Sequence, residues 1–178
     1  MTSPLQPSLE SELLILRPLA VDDFENLFEV ASDPLIWEQH PVPDRYKADV
    51  FKDFFAEALA SQGALVVIDR NLRKIIGSSR FYEADLERKE VVIGYTFLER
   101  KYWGGRYNHI LKTMMLEHAL KFFDSVLFHV DATNHRSQKA MEKIGGLRIG
   151  QFEKKKQDGT PRVAFIYQMK SLPTAREA

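Results

Sequence analysis

The sequence predicts one α/β domain built on a mixed sheet of about seven strands flanked by about four helices. Three observations lead there. An apolar run, Val91–Leu98, is followed by a glycine turn, a helical pattern from about Tyr107 to Phe123, and a second apolar run, Val126–Asp131. Two strands joined through a helix pair in parallel, with a right-handed crossover, because parallel pairing requires a connection of that length. Before this unit lie apolar runs separated by short charged turns, which read as antiparallel strands. After it, Leu147–Lys156 and Arg162–Lys170 meet around Asp158-Gly159, a strong hairpin signal.

The elements follow in order. Leu13–Arg17 is a short apolar strand closed by Pro18. Ala20–Ala31 places Phe24, Leu27, Phe28 and Ala31 at helical spacing, with Asp22 and Asp23 in the first turn, where the helix dipole favours them. Ser32–Tyr46, with three prolines among Trp37, His40 and Arg45, is a loop of unusual length, in which Trp37 reads as a core anchor and His40 as ordinarily exposed. Asp49–Leu59 is a second amphipathic helix, carrying Val50, Phe51, Phe54 and Ala58 on one side. Ala64–Ile68 and Ile75–Tyr82 form a hairpin across a charged turn, and Glu83–Glu90 is the next turn. On the long helix, Thr113, Glu117, Lys121 and Asp124 make a single polar stripe, so most of its circumference is buried, and its methionines are core residues. His109 and His118 fall on opposite faces and cannot share a metal. Asn134 as N-cap and Gly145-Gly146 as stop bracket a short fourth helix.

Composition excludes several function classes. The chain of 178 residues is 44% hydrophobic, enough for a real core, and shows no repeat, linker or low-complexity segment. Residues 1–178 therefore read as one domain, with fraying expected at 1–11 and 173–178. Basic and acidic residues balance at 25 each, which argues against a general nucleic-acid or membrane-surface binder. The absence of cysteine excludes disulfides, thiolate metal sites and a covalent cysteine intermediate. No apolar run approaches the roughly 20 residues that span a bilayer, and Met1–Ser11 lacks a signal pattern. A soluble cytoplasmic protein is expected.

The chemistry concentrates at Glu99–Asn108. The first-turn N–H groups of a helix have no partners inside it, and the turn glycines let the backbone approach a ligand. A helix N-terminus normally attracts acidic residues, yet from Arg100 to His109 every charged side chain is basic: Arg100, Lys101 and Arg106. A pyrophosphate would supply the missing negative charge. Spacing alone leaves this cradle about even with a glycine turn carrying solvated cations. Neither G-x-x-x-x-G-K-[ST] nor G-x-G-x-x-G is present, so a P-loop and a Rossmann dinucleotide site are unsupported. Arg136, Lys139 and Lys143 share one side of the fourth helix, either as a solvated face or as a seat for an outer phosphate.

The element order, the turn Tyr102-Trp-Gly-Gly105, and Asn134-x-x-Ser137 followed by Glu142-Lys-Ile-Gly145 together resemble the GNAT acyl-CoA N-acyltransferases over nearly the whole chain. Leu14-Ile-Leu-Arg-Pro-Leu19, Trp103-Gly104 with Asn108 and Lys112, and the final hairpin look most like the RimJ/RimL-type branch. The resemblance implies an N-acetyltransferase with acetyl-CoA as co-substrate, no metal, and an amine acceptor that is a protein N-terminus or a small molecule. A CoA-binding module without turnover is the alternative, and a homodimer is left open. The implied co-substrate residues are Phe97, Leu98, Lys101, Trp103, Gly104, Gly105, Arg106, Tyr107, Asn108, His109, Asn134 and Lys143. In matching positions Asn134 would bond the pantetheine arm, and Ser137 would stand near the sulfur, where it could protonate the thiolate. Ser137 reads equally as a capping residue. A backbone N–H near Phe97 or Leu98 would face the oxyanion. Glu83, Asp85 and Glu90 are candidate bases that also read as solvated turn charges, and none is singled out. The chain departs from the family's turn pattern, with Lys101 at its R/Q position and Arg106 at its second glycine. Ile110 stands where the branch often has Glu, and Gly146 where many relatives have Phe.

Overall fold

The computed structural model describes residues 3–156 and 158–173. Its elements are β1 (Leu9–Glu10), β2 (Leu14–Pro18), α1 (Phe24–Ala31), α2 (Ala48–Ala60), β3 (Ala64–Asp69), β4 (Lys74–Asp85), β5 (Glu90–Leu98), α3 (Tyr107–Ala119), β6 (Ser125–Asp131), α4 (His135–Lys143), β7 (Leu147–Lys155) and β8 (Pro161–Met169). One sheet takes all the strands in the order β1-β2-β3-β4-β5-β6-β8-β7. Every pairing is antiparallel except β5 with β6, where α3 makes the crossover.

Four expectations need correction. The sheet has eight strands rather than seven, because Leu9 and Glu10 pair with Leu16 and Ile15, inside the segment expected to fray. Of the two expected tails, Met1, Thr2 and residues 174–178 lie outside the described residues. Helix α3 ends at Ala119 rather than Phe123, since the chain must turn back in time for the Asp124 and Ser125 amides to reach the Lys89 carbonyl (2.8 and 3.3 Å) and enter the sheet beside β5. The turn between β4 and β5 is shorter than Glu83–Glu90, because β4 runs on to Asp85 and β5 begins at Glu90. The long loop is not wholly irregular: Pro34–Ile36 and Pro43–Tyr46 are 3₁₀ turns, each opened by a proline, whose fixed φ suits a first helical position.

Strand alternation divides the core between the two faces of the sheet. Leu65 and Val67 of β3 join Leu16, Ile76, Val91, Ile93, Phe128 and Val130 beneath α3, against Leu111, Met115 and Leu116. Ala64 and Val66 face the other way, with Phe97, under α1 and α2, against Leu27, Trp37, Phe51, Phe54 and Phe55. Trp37 is fully buried there and its Nε1 donates to the Ala31 carbonyl at 2.8 Å, so it is the anchor the sequence suggests.

Two irregularities in the middle of this sheet position everything that follows. Strand β5 carries a bulge: Ser78 pairs with Phe97 and Arg80 with Gly94, so Tyr95 and Thr96 together oppose Ser79, and Tyr95 takes φ 54°. The extra residue shifts the alternation. Ile93 faces α3, whereas Tyr95 and Phe97 both pack on the α1–α2 side. The second irregularity is that β5 and β6 pair only through Glu90–Ser125, Val91–Val126 and Val92–Leu127, and then part.

Candidate active site

Where β5 and β6 part, a cavity of about 460 Å³ opens at their C-terminal ends. That volume suits a small-molecule site. One wall comes from the turn after β5 and from the starts of α3 and α4. Gly104, Gly105, Asn108, His109, Asn134, Ser137 and Lys143 line it, with Phe97, Leu98 and Trp103. Gly104 sits at φ +69°, and an added Cβ on it would meet nothing within 4 Å, so the turn needs a left-handed residue and leaves open space in front of it. Trp103 donates its indole N–H to the Leu98 carbonyl at 2.9 Å, and Arg136 lies over the Trp103 ring at 3.9 Å. Asn134 is the N-cap of α4, its Oδ1 accepting from the Ser137 backbone N–H at 3.1 Å. Asn134 is therefore the cap, and Ser137 shows no side-chain hydrogen bond among the described residues.

Ten of the residues proposed from the sequence thus share one cavity. Lys101, Arg106 and Tyr107 do not line it. Lys101 pairs with Glu99 at 3.3 Å, Tyr107 packs edge-on against Tyr102, and Arg106 is exposed at the start of α3. The three candidate bases also lie elsewhere. Asp85 caps its own turn by accepting from the amides of Glu87 and Arg88, Glu90 accepts from Ser125 Oγ, and Glu83 is exposed. The reason is directional: the β4–β5 turn stands at the N-terminal end of β5, while the cavity stands at the other end. Basic Arg136 and Lys143 reach the cavity lining; Lys139 does not.

The opposite wall was not foreseen. Along β6, Phe128 and Val130 belong to the core beneath α3, so His129 and Asp131 project to the other face. There they meet His40, Arg45, Tyr82, Tyr95, Lys154 and Arg162. Tyr82 Oη lies 3.4 Å from His129 Nδ1, and Gly94 is small because any Cβ there would stand 2.9 Å from the Tyr82 ring. Burial, and then Lys154, hold His129 below its ordinary pKa. His40, expected to be exposed, is half-buried edge-on to Trp37 and bonds Arg45, whose Nη1 is 3.1 Å from its Nε2. Burial and Arg45 push its pKa well down. Asp131 accepts from Thr133 and, at 3.0 Å, from Arg162; these bonds outweigh its burial and keep it ionised. Lys112 reaches the cavity from α3, and burial lowers its pKa to about 8. The signal for this wall was present but faint: His129, and Arg80 behind the wall, are basic residues inside apolar strands, where a solvated face does not account for them.

Among the described residues no cluster of three metal-ligating side chains occurs, and no helix is long and apolar enough to cross a membrane. Solved structures share the architecture. A GCN5-related N-acetyltransferase from Brucella melitensis is 16% identical with a TM-score of 0.82, over 92% of this chain and 78% of its own. Spermidine N-acetyltransferase from Vibrio cholerae, in complex with CoA and spermine, is 14% identical with a TM-score of 0.70, over 92% and 97%. Mycobacterium smegmatis RimJ, in complex with CoA-disulfide, is 14% identical with a TM-score of 0.71, over 88% and 81%. At such identities the likeness speaks for the fold alone. No protein of curated function matches the chain. The model of the acetyltransferase (GNAT) domain, however, matches residues 14–146, and with that match spanning the parted strands, the glycine turn and α4, the chain belongs to the GNAT acetyltransferase family.

Proposed function

We propose that this protein transfers an acetyl group from acetyl-CoA directly to a primary amine, either a protein N-terminal α-amine or a small-molecule amine, as a RimJ/RimL-type N-acetyltransferase. The observation that carries the reading is the parting of β5 from β6 beyond Val92 and Leu127, which opens the sheet between the Gly104 turn on one side and the His129 wall on the other. The residues suit acetyl-CoA. Backbone amides at the start of α3 and the open φ +69° glycine turn suit a pyrophosphate. The β6-facing side of β5 from Ile93 onward, outside the β5–β6 ladder, suits the amide-bearing pantetheine arm, and the Asn134 carboxamide adds a donor beside it. The Vibrio cholerae and Mycobacterium smegmatis structures, each with a CoA species bound, support this reading.

The amine nitrogen attacks the thioester carbonyl, and the oxygen that gains the charge is met by a β5 backbone N–H near the bulge. His129, kept neutral near pH 7 by burial and Lys154, takes the proton released by the amine. The C–S bond then breaks, and Ser137 Oγ hydrogen-bonds the departing thiolate as it is protonated from solvent. Calorimetric titration with acetyl-CoA, followed by free-thiol release with a panel of amines and N-terminal peptides, tests the assignment. Binding with amine-dependent release is expected. Binding without release across the panel would leave a CoA-binding module, and no binding would overturn the reading of the Gly104 turn. His129→Gln is expected to lower kcat by roughly 10²-fold or more while acetyl-CoA binding is kept; unchanged turnover would remove His129 as the base.

A further inference from the structure

The wall opposite the co-substrate residues holds more positive charge than its own structure uses. Arg45 is 9% exposed, lines the cavity and has no carboxylate partner among the described residues; it bonds the His40 ring and stacks 4.4 Å over Phe54. Behind this wall, not lining the cavity itself, Arg80 is 5% exposed, with Nε and Nη2 buried and unpartnered, and lies 4.2 Å over the lining residue Tyr95. Arg162 spends Nη1 on Asp131 and leaves a buried, unpartnered Nε. Lys154 lines the same wall, its Nζ 5.0 Å over Phe152. Facing these four cations, Asp131 is the one carboxylate among the described lining residues, and Arg162 and Thr133 already occupy it. Exposed Glu57 on α2 and Glu83 on β4 touch the group only at longer range, easing Arg45 and Arg80, and Lys154, respectively.

Burying a charge without a counter-ion is costly, and burying like charges together is costlier. The chain as a whole is neutral, with 25 residues of each sign, so this concentration is local. Arg45, Arg162 and His40 line the same cavity, and in keeping with that Arg162 and Arg45 each depress the pKa of His40. Such a set is completed by an anion carried in with the ligand, and guanidinium is the group best shaped to bind a carboxylate or phosphate.

We infer that the acceptor amine carries an anionic group, a carboxylate or a phosphate, which Arg45 and Arg162 hold while Lys154 and Arg80 supply further positive field. This rests on the N-acetyltransferase reading and narrows its acceptor. Polycationic amines are repelled by the same wall.

The test pairs acceptors that differ in the anion alone. Amino acids are compared with their amides, O-phosphoethanolamine with ethanolamine, and peptides having Glu at the second position with those having Gln; spermidine is the cationic control. Thiol release is followed with each, and acetyl-CoA binding is measured separately by calorimetry. The anionic member of at least one pair is expected to exceed its partner by about tenfold or more in kcat/KM, the first two pairs separating carboxylate from phosphate. Arg45→Met should raise the KM of that acceptor by about tenfold, leave the acetyl-CoA Kd unchanged, and raise the melting temperature of the free protein, which a merely structural arginine would lower. Lys154→Gln, at a half-buried strand position without an ion pair among the described residues, gives a second reading of the acceptor KM if Arg45→Met does not fold. Equal use of both members of every pair, a preference for spermidine, or turnover of neutral amines with none of any anionic amine, would overturn the inference. Failure to bind acetyl-CoA would instead overturn the underlying enzyme reading.

Discussion

Lys112 shows how much one residue can reveal. It is 8% exposed, its ammonium stands 5.1 Å from the Phe128 ring, and burial alone lowers its pKa to about 8. A lysine whose folded pKa lies below its unfolded value, 10.5, destabilises the protein most below pH 8, and stability recovers as pH rises from there toward the unfolded value. Lys112→Met should therefore raise unfolding free energy in urea at pH 7 by about 1–3 kcal/mol, with the gap closing toward pH 10. A constant gap would mean that the ammonium is compensated. Asn134 and Ser137 separate in a similar way. Asn134→Ala removes the cap of α4 and should cost about 1 kcal/mol in urea. Ser137→Ala should leave stability within about 0.5 kcal/mol and slow thiol release. Equal stability losses in both variants would return Ser137 to a structural role. The cap was legible because Asn before a helical pattern has a local cause. Arg45, Tyr82, His129 and Arg162 were not legible as one group, because they come from a 3₁₀ turn, β4, β6 and β8, and no spacing within one element links them.

At the scale of elements, what was readable is what the chain decides locally. The β5–α3–β6 unit and the final hairpin follow from apolar runs and glycine turns, and the observed strands lie close to where those patterns put them. The bulge in β5 was hidden, since Gly94-Tyr-Thr-Phe97 reads as continuous strand; only pairing to β4 shows that two residues face Ser79. The parting of β5 and β6 was hidden for the same reason, register being a property of two strands. The turn between β5 and α3 offers a test of its own. Gly104→Ala forces a side chain onto φ +69° and should cost about 1 kcal/mol in stability. Acetyl-CoA affinity should fall by considerably more than that strain explains, about tenfold or greater, because the added methyl enters the space in front of the α3 amides. Equal losses of stability and of binding would show that the turn supports the fold and not the ligand.

For the whole molecule, the two cores are separated by a single sheet and share its strands: β3 sends Leu65 and Val67 one way and Val66 the other. Neither face can be lost without exposing the other. Urea unfolding should give one transition, coincident by far-UV circular dichroism and, in a Trp103→Phe background, by the fluorescence of Trp37, which is buried under α1 and α2. Separate midpoints would show that the helical layer comes away first. The parted strands also make this sheet unusual in having an edge on the inside. Backbone groups of β5 beyond Val92 face β6 without a ladder, so the free protein keeps in its centre the kind of unsatisfied strand that most sheets confine to their margins. On the proposed reading acetyl-CoA takes the place of a further strand there, and its binding sets how rigid this part of the sheet is. On that reading amide exchange at Ile93–Leu98 should slow on saturation with CoA while the amides of β7 and β8 are unaffected, and unchanged exchange in β5 would place the co-substrate elsewhere.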